Sequence, residues 1–295
     1  MINLFTTYYN EKNPERAEEL RTCLVKNKSC NSISNIHVLS EVKEDKFLLK
    51  HNFKIRIIYN RPTFNDFINE INLISSDEDI NIIANADIYF DQSLDALIGL
   101  SLQGRCFALT RWDVRHGGRV KLIELANSQD VWIFQGNITG IAGEIPIGVP
   151  GCDNRLAYEI RKAGYCLSNP SISIKSYHLH NSNYRPNEHR WYSPDYSIGG
   201  PHQHVIPDTI ENVMKSDSIF SIIKAGKLPD QLYSAKVRRW YKQKENIEYS
   251  KDSFSKGYRL QGFFYRAIGL YYKFPFVKIV LLVFFHDYYK KNFFR

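Results

Sequence analysis

Apolar positions along the first half of the chain follow two alternating rhythms. The run "INLFTTYY" (residues 2–9) is short, β-branched and aromatic, and so are "NIHVLS" (35–40), "FKIRIIYN" (53–60) and "INIIA" (80–84). Runs of that length and makeup predict strands. Between them, "NPERAEELRTCLVKN" (13–27) predicts a helix, with Pro14 near its start and acidic residues preceding basic ones as the helix dipole favours. In "TFNDFINEINLIS" (63–75), helical spacing places Phe64, Phe67, Ile68 and Ile71 on one face. Farther on, "CFALTRWD" (106–113) and "VWIFQG" (131–136) predict strands. "CDNRLAYEIRKAGY" (152–165) predicts a helix opened by Asp153 and closed near Gly164, and "LSNPSISIKSYHLHNS" (167–182) an alternating strand that ends in two histidines. Strands alternating with helices predict an α/β fold, a mostly parallel sheet flanked by helices. The Pro-, Gly-, Tyr- and His-rich stretch 184–208 predicts a long irregular loop, and beyond about 226 the chain turns to Lys, Arg and aromatics. That change divides a domain over 1–225 from a helical extension over 226–295.

In sheets of this kind ligands bind beyond the carboxyl ends of strands. Asn85-Ala86-Asp87 follows such an end directly, and a carboxylate there needs a partner, because burying an unpaired charge is costly. A carboxylate at a strand end, assisted by an imidazole, can hold a divalent ion that neutralises a nucleotide diphosphate. Asp87 with His178 or His180 is the candidate ligand set. The two histidines lie two residues apart and would share a strand face, which predicts that at most one ligates while the other packs or hydrogen-bonds. Asn85 can orient the site or reach a ribose. Asp153, at a helix N-terminus, is placed to take a proton from an attacking hydroxyl, although a plain helix cap would account for it too. Arg61 before Pro62 is a candidate for donor phosphate, or a turn residue; Arg111 and Asp130 are candidates for the donor sugar, or an internal ion pair.

Composition narrows the partners. The 295 residues carry a formal net charge of +8 with 43% hydrophobic content, enough for a full core and for an anionic partner. Five cysteines, an odd number without CxxC spacing, argue against a disulfide framework or zinc knuckle and for a reducing compartment. The first residues lack the basic n-region of a signal peptide, so the expected location is cytoplasmic.

The ordered landmarks "FTTYYN", "NRPTFNDF", "NADIYFD", "ALTRWD", "SQDVWIF", "GCDNRLAYEIRKAGY" and "HLHNS", spread over about residues 2–185, resemble those of bacterial GT-A-type glycosyltransferases related to glycosyltransferase family 2. The resemblance implies a nucleotide pocket at Thr6, Thr7 and Tyr8, an Asp-x-Asp metal and diphosphate motif at Asn85 and Asp87, a catalytic base at Asp153, and a late metal ligand at His178 or His180. It implies Mn2+ or Mg2+, a nucleotide-sugar donor, a uridine diphosphate sugar above all, and transfer with inversion to a glycan or lipid-linked glycan in surface-polysaccharide or lipopolysaccharide assembly. Two positions depart from the pattern: Asn85 stands where the first Asp belongs, and Cys152 where the acidic neighbour of the base belongs. Those losses keep a non-catalytic sugar-nucleotide-binding protein in view. A metal-dependent phosphodiesterase or nuclease is a further alternative. No second dense carboxylate or histidine cluster supports it, and no nucleic-acid partner is expected.

The tail 259–295 has no apolar run long enough to cross a bilayer, since Lys273, Lys278 and Asp287 interrupt it. Phe263, Phe264, Ile268, Tyr271 and Tyr272 can line one side of a helix, with Arg259, Arg266 and Lys273 nearby and a break at Pro275. That composition predicts peripheral attachment to an anionic membrane, at the inner face of the cytoplasmic membrane.

Overall fold

The computed structural model describes residues 1–182 and 203–215. Most of the predicted 184–208 loop and all of the 226–295 extension lie outside the described residues.

The alternation becomes an α/β fold. Strands β1 (Ile2–Tyr8), β2 (Asn35–Ser40), β3 (Lys54–Ile57) and β4 (Ile80–Ala84) are linked through helices α1 (Pro14–Lys28), α2 (Lys46–His51) and α3 (Phe64–Ile74). A two-residue strand β5 (Ile88–Tyr89) is followed by β6 (Arg105–Leu109), β7 (Trp112–Val114), β8 (Val120–Leu122), β9 (Val131–Gln135), helix α4 (Cys152–Lys162), β10 (Cys166–Ser168) and β11 (Tyr177–Leu179). The seven-stranded sheet has the order β10-β6-β9-β4-β1-β2-β3. Only β9 runs antiparallel to its neighbours β4 and β6. A second sheet, β5-β11-β7-β8, stands beside it.

The central strands β1, β2, β4, β6 and β9 are buried on both faces, which is why they read as largely apolar runs. Residues of β1, β4 and β9 alternate between two core layers: Leu4, Ile82 and Ile133 join one, Phe5, Ile83 and Trp132 the other. Helix α1 contributes Leu24 to the first layer. Helix α3 inserts Phe64, Phe67, Ile68 and Ile71 into the second, the face its spacing predicts, and α4 adds Leu156, Ala157 and Ile160. Phe64 meets Trp132 edge-on at 4.8 Å. After β9 the chain turns at Gly136 with φ +63°, where an added Cβ would lie 2.9 Å from the Asp77 carbonyl oxygen, so both conformation and space require glycine.

Three local expectations are corrected. "CFALTRWD" is two strands in two sheets, because the chain leaves the large sheet at Thr110, whose amide takes Asn169 Oδ1, and Trp112 then donates to the Ser176 carbonyl. The stretch 167–182 is also divided: Pro170 lacks an amide to continue the ladder, and its carbonyl accepts from Ser173 and Ile174 in a turn before β11 begins. Helix α4 is capped by Gly151 at φ 81°, so Asp153 sits inside the first turn and is not the cap. The helix that closes the described region, at 210–215, packs Val213 into the first core layer.

Candidate functional site

The rim formed by the carboxyl ends of the parallel strands gathers the polar residues. The registers Ala84↔Val131 and Leu109↔Val131 put the ends of β4 and β6 beside the beginning of β9. Residues after β4 and β6 and the residue before β9 therefore share one edge: Asn85 and Asp87, Arg111 and Asp113, and Asp130. Asn85 makes two bonds to Asp130, amide to carbonyl at 3.0 Å and Nδ2 to Oδ1 at 2.7 Å. Its carbonyl accepts from Ile88 and closes the turn that carries Asp87.

Strand β11 lies between β5 and β7, with His178 level with Ile88 on one side and Asp113 on the other. Its imidazole is held from both ends: Nδ1 is 3.0 Å from Asp113 Oδ1 and Nε2 is 3.2 Å from Asp87 Oδ2. Burial alone would lower the His178 pKa, but the Asp87 and Asp113 carboxylates outweigh it and raise it to about 9. Burial would likewise raise Asp87, yet His178 and Arg16 hold its carboxyl far below the usual range. His180, just past the end of β11, stacks edge-on against His178 with ring centroids 5.6 Å apart. One donor atom each from Asp87, His178 and His180 falls within 4.8 Å of the others. Both histidines thus lie near the carboxylate, and the edge-on contact of His180 with His178 is packing of the kind expected of the second histidine.

This cluster fits a divalent transition-metal ion. One carboxylate and two imidazoles are a donor set suited to Mn2+ and its neighbours, more than to Mg2+ with its preference for oxygen. The Nδ1 bond from His178 to Asp113 is the outer contact that fixes the tautomer of a ligating imidazole. Among the described residues, the side-chain hydrogen bonds to Asp87 engage Oδ2.

Asp153 occupies the other part of the rim. Its Oδ2 accepts from the Gln129 amide at 3.1 Å and its Oδ1 from Asn154 Nδ2 at 3.1 Å. Burial first, and then the neighbouring charge of Asp130, push its carboxyl up to about 6. Arg111 bridges the two regions: Nε donates to Asp113 Oδ1 at 3.0 Å and an NH1 proton goes to Asp130 Oδ2 at 3.2 Å. The ion pair foreseen as an alternative for Arg111 and Asp130 is present.

Thr6, Thr7 and Tyr8 are buried along the last residues of β1, at the same rim; the Tyr8 hydroxyl donates to Asp45 Oδ2 and accepts from Arg21. Arg61 is exposed and lines a separate depression of about 420 Å³ with Arg56, Tyr59, Asn69 and Glu144, none of them a member of the Asp87, His178, His180 cluster. Three residues went unread in the sequence: Arg16, Glu19 and Asp113. Arg16 and Glu19 share a helix face with Leu20, Cys23 and Leu24, so a charged pair on the buried face of α1 was the available signal.

No family model and no curated protein matches the sequence. Among solved structures the chain is similar to a mannosyltransferase from Pyrobaculum calidifontis in complex with GDP-Man and Mn2+, at 12% identity and a TM-score of 0.42 over 64% of this chain and 59% of that one. It is similar at 11% identity and 0.42 to GalNAc-T7 with UDP, GalNAc and Mn2+, covering 68% of this chain and 46% of the other. A glucosyl-3-phosphoglycerate synthase from Mycobacterium tuberculosis with Mn2+ and UDP follows at 13% and 0.38, covering 64% and 74%. The chain therefore spans about half the length of the first two. Likeness this distant carries nothing about chemistry.

Proposed function

We propose that the chain is a GT-A-type glycosyltransferase that moves a sugar from a nucleoside diphosphate donor, a uridine diphosphate sugar foremost, to a hydroxyl of a glycan or lipid-linked glycan in surface-polysaccharide assembly. One observation carries the reading. A three-donor Asp87, His178, His180 cluster and Asp153 stand on the same strand-end rim, and a chain of bonds from His178 through Asp113 and Arg111 reaches Asp130, whose charge neighbours Asp153. Asp87, His178 and His180 would hold Mn2+, which when bound supplies positive charge for the diphosphate leaving group.

The residues of the chain do the rest. Asp153, ionised above its raised pKa, removes the proton from the acceptor hydroxyl; a single displacement with that base inverts the anomeric carbon. Asp130, with both carboxylate oxygens fixed by Asn85 and Arg111, keeps the base poised. The departure at Asn85 is consistent with this division of work, since its side chain serves Asp130 rather than an ion. The nuclease alternative needs a second metal cluster, and one group of three His, Cys, Asp or Glu donors is present among the described residues. The basic aromatic tail would bring the enzyme to the cytoplasmic membrane face where a lipid-linked acceptor is offered.

A thermal-shift screen of nucleotide sugars with and without Mn2+ tests the function. A donor at a hundred times its Kd should add about 2.7 kcal/mol of apparent stability, with Mn2+ present and only then. Failure of every nucleotide sugar to shift the wild-type chain, metal present or absent, would remove the proposal.

A further inference from the structure

We propose that Arg16 and Glu19 of α1 are positioning residues, a clasp that sets the separation of the three metal donors; this rests on the metal reading of the site given above. The two side chains lie one helical turn apart on the buried face of α1, 6% and 9% exposed. Arg16 NH1 donates to Glu19 Oε2 at 2.9 Å and to the Leu179 carbonyl at 2.9 Å, and its NH2 donates to Asp87 Oδ2. Glu19 Oε1 accepts the amides of Asn181 at 2.6 Å and Ser182 at 2.7 Å, and its Oε2 accepts the Ser182 hydroxyl at 2.9 Å.

The consequence lies in what these bonds enclose. Leu179 and Asn181 flank His180, so the pair grips the backbone on both sides of one donor residue. Through the same guanidinium it holds the carboxylate of a second donor, and the Leu179 amide, bonded to the Asp87 carbonyl at 3.0 Å, locks the third donor's strand alongside. His180 lies beyond the last residue of β11, where sheet pairing no longer sets its direction. The clasp supplies what the sheet does not. A surface ion pair would have no such reach: this one is buried, uses charge-assisted bonds, and satisfies peptide groups of a segment more than 160 positions away.

The test is direct metal uptake by the full chain, read from the free Mn2+ electron paramagnetic resonance signal and from the ligand-field spectrum of bound Co2+. Glu19→Gln keeps an acceptor for the two amides but turns an amide toward Arg16. It should weaken Mn2+ binding about tenfold to a hundredfold, the range for lost outer contacts to metal ligands, and change the Co2+ spectrum. A double variant, Arg16→Met with Glu19→Gln, separates positioning from charge, because it removes the uncompensated guanidinium. Positioning predicts that affinity stays low, and recovery to the wild-type value would overturn it. Unchanged affinity and spectrum in Glu19→Gln would overturn it as well. If Glu19→Gln does not fold, Ser182→Ala, which deletes one bond of the clasp, must weaken uptake severalfold, and no change there counts against the proposal. Wild-type protein that takes up no more Mn2+ than Asp87→Asn would instead overturn the metal reading itself, and the clasp with it.

Discussion

Replacing Asp153 with Asn separates chemistry from architecture. The carboxyl has a folded-state pKa of about 6 against an ordinary value of 3.8, raised by burial and by the Asp130 charge. A raised carboxyl pKa means that the folded state binds the proton more tightly than the unfolded state. Stability from this group is therefore present at low pH and lost as pH rises through about 6. At about 1.36 kcal/mol per pKa unit, the ionised form at pH 7.5 destabilises the fold by roughly 3 kcal/mol. Asparagine has nearly the same shape and cannot ionise. It returns that energy, less about 1 kcal/mol for weaker bonds from the Gln129 amide and Asn154. The expected outcome at pH 7.5 is a variant more stable by about 2 kcal/mol, a Tm several degrees higher, with turnover reduced about a hundredfold or more. Donor binding should persist. The stability gain should shrink below pH 6 and vanish between about pH 4 and 5, as the unfolded carboxyl becomes protonated too. Denaturation curves at pH 7.5, 6 and 5 and a pH–rate profile of the wild type supply the comparison. A variant less stable than wild type at pH 7.5, or a wild-type acid limb near pH 4, would refute the reasoning.

Three shorter expectations follow from neighbouring features. Arg111→Gln removes the cation beside Asp130, so Asp153 should hold its proton more tightly and the acid limb should move above pH 6; an unshifted limb in the pH–rate profile would count against the network. Because two of the three donors are imidazoles, Mn2+ should support transfer at least about tenfold better than Mg2+ at equal concentration, and equal rates in a radiolabelled-donor assay would contradict the donor assignment. The full chain should co-sediment with anionic liposomes at low salt while a chain ending near residue 250 stays in the supernatant and still binds donor; equal partitioning would remove the membrane role of 259–295.

Much of the framework was readable because the large sheet is covered on both faces. Phe64, Phe67, Ile68 and Ile71 fell on the buried side of α3 because helical periodicity leaves one choice, and Asp87 stood out as a candidate because a carboxylate after an apolar strand has few uses. Other parts were hidden for specific physical reasons. The direction of β9 is not encoded in "VWIFQG", whose residues suit either direction between apolar layers, so Asp130 could not be placed on the rim from its position before a strand. Strand alternation put His178 and His180 on one face but could not say what directs His180, because β11 ends at Leu179 and the backbone beyond is held by Glu19. Arg16 and Glu19 themselves resembled ordinary solvated charges in a helix rich in them. Their burial depends on residues 179–182, which local pattern cannot anticipate.

The bond from Arg16 to the Leu179 carbonyl also bears on the order in which the chain completes itself. It closes a loop of 163 residues, whereas Arg16 and Asp87 are 71 apart. Closing a chain costs more entropy as the loop lengthens, by about 0.6 kcal/mol per doubling, so the nearer pair has the advantage. During synthesis the advantage is absolute, since Arg16 and Asp87 have both emerged long before either histidine. The acid therefore meets an internal cation first, and the imidazoles arrive at a carboxylate already neutralised and aimed. On the metal reading proposed above, ion uptake would then follow the closing of the 163-residue loop.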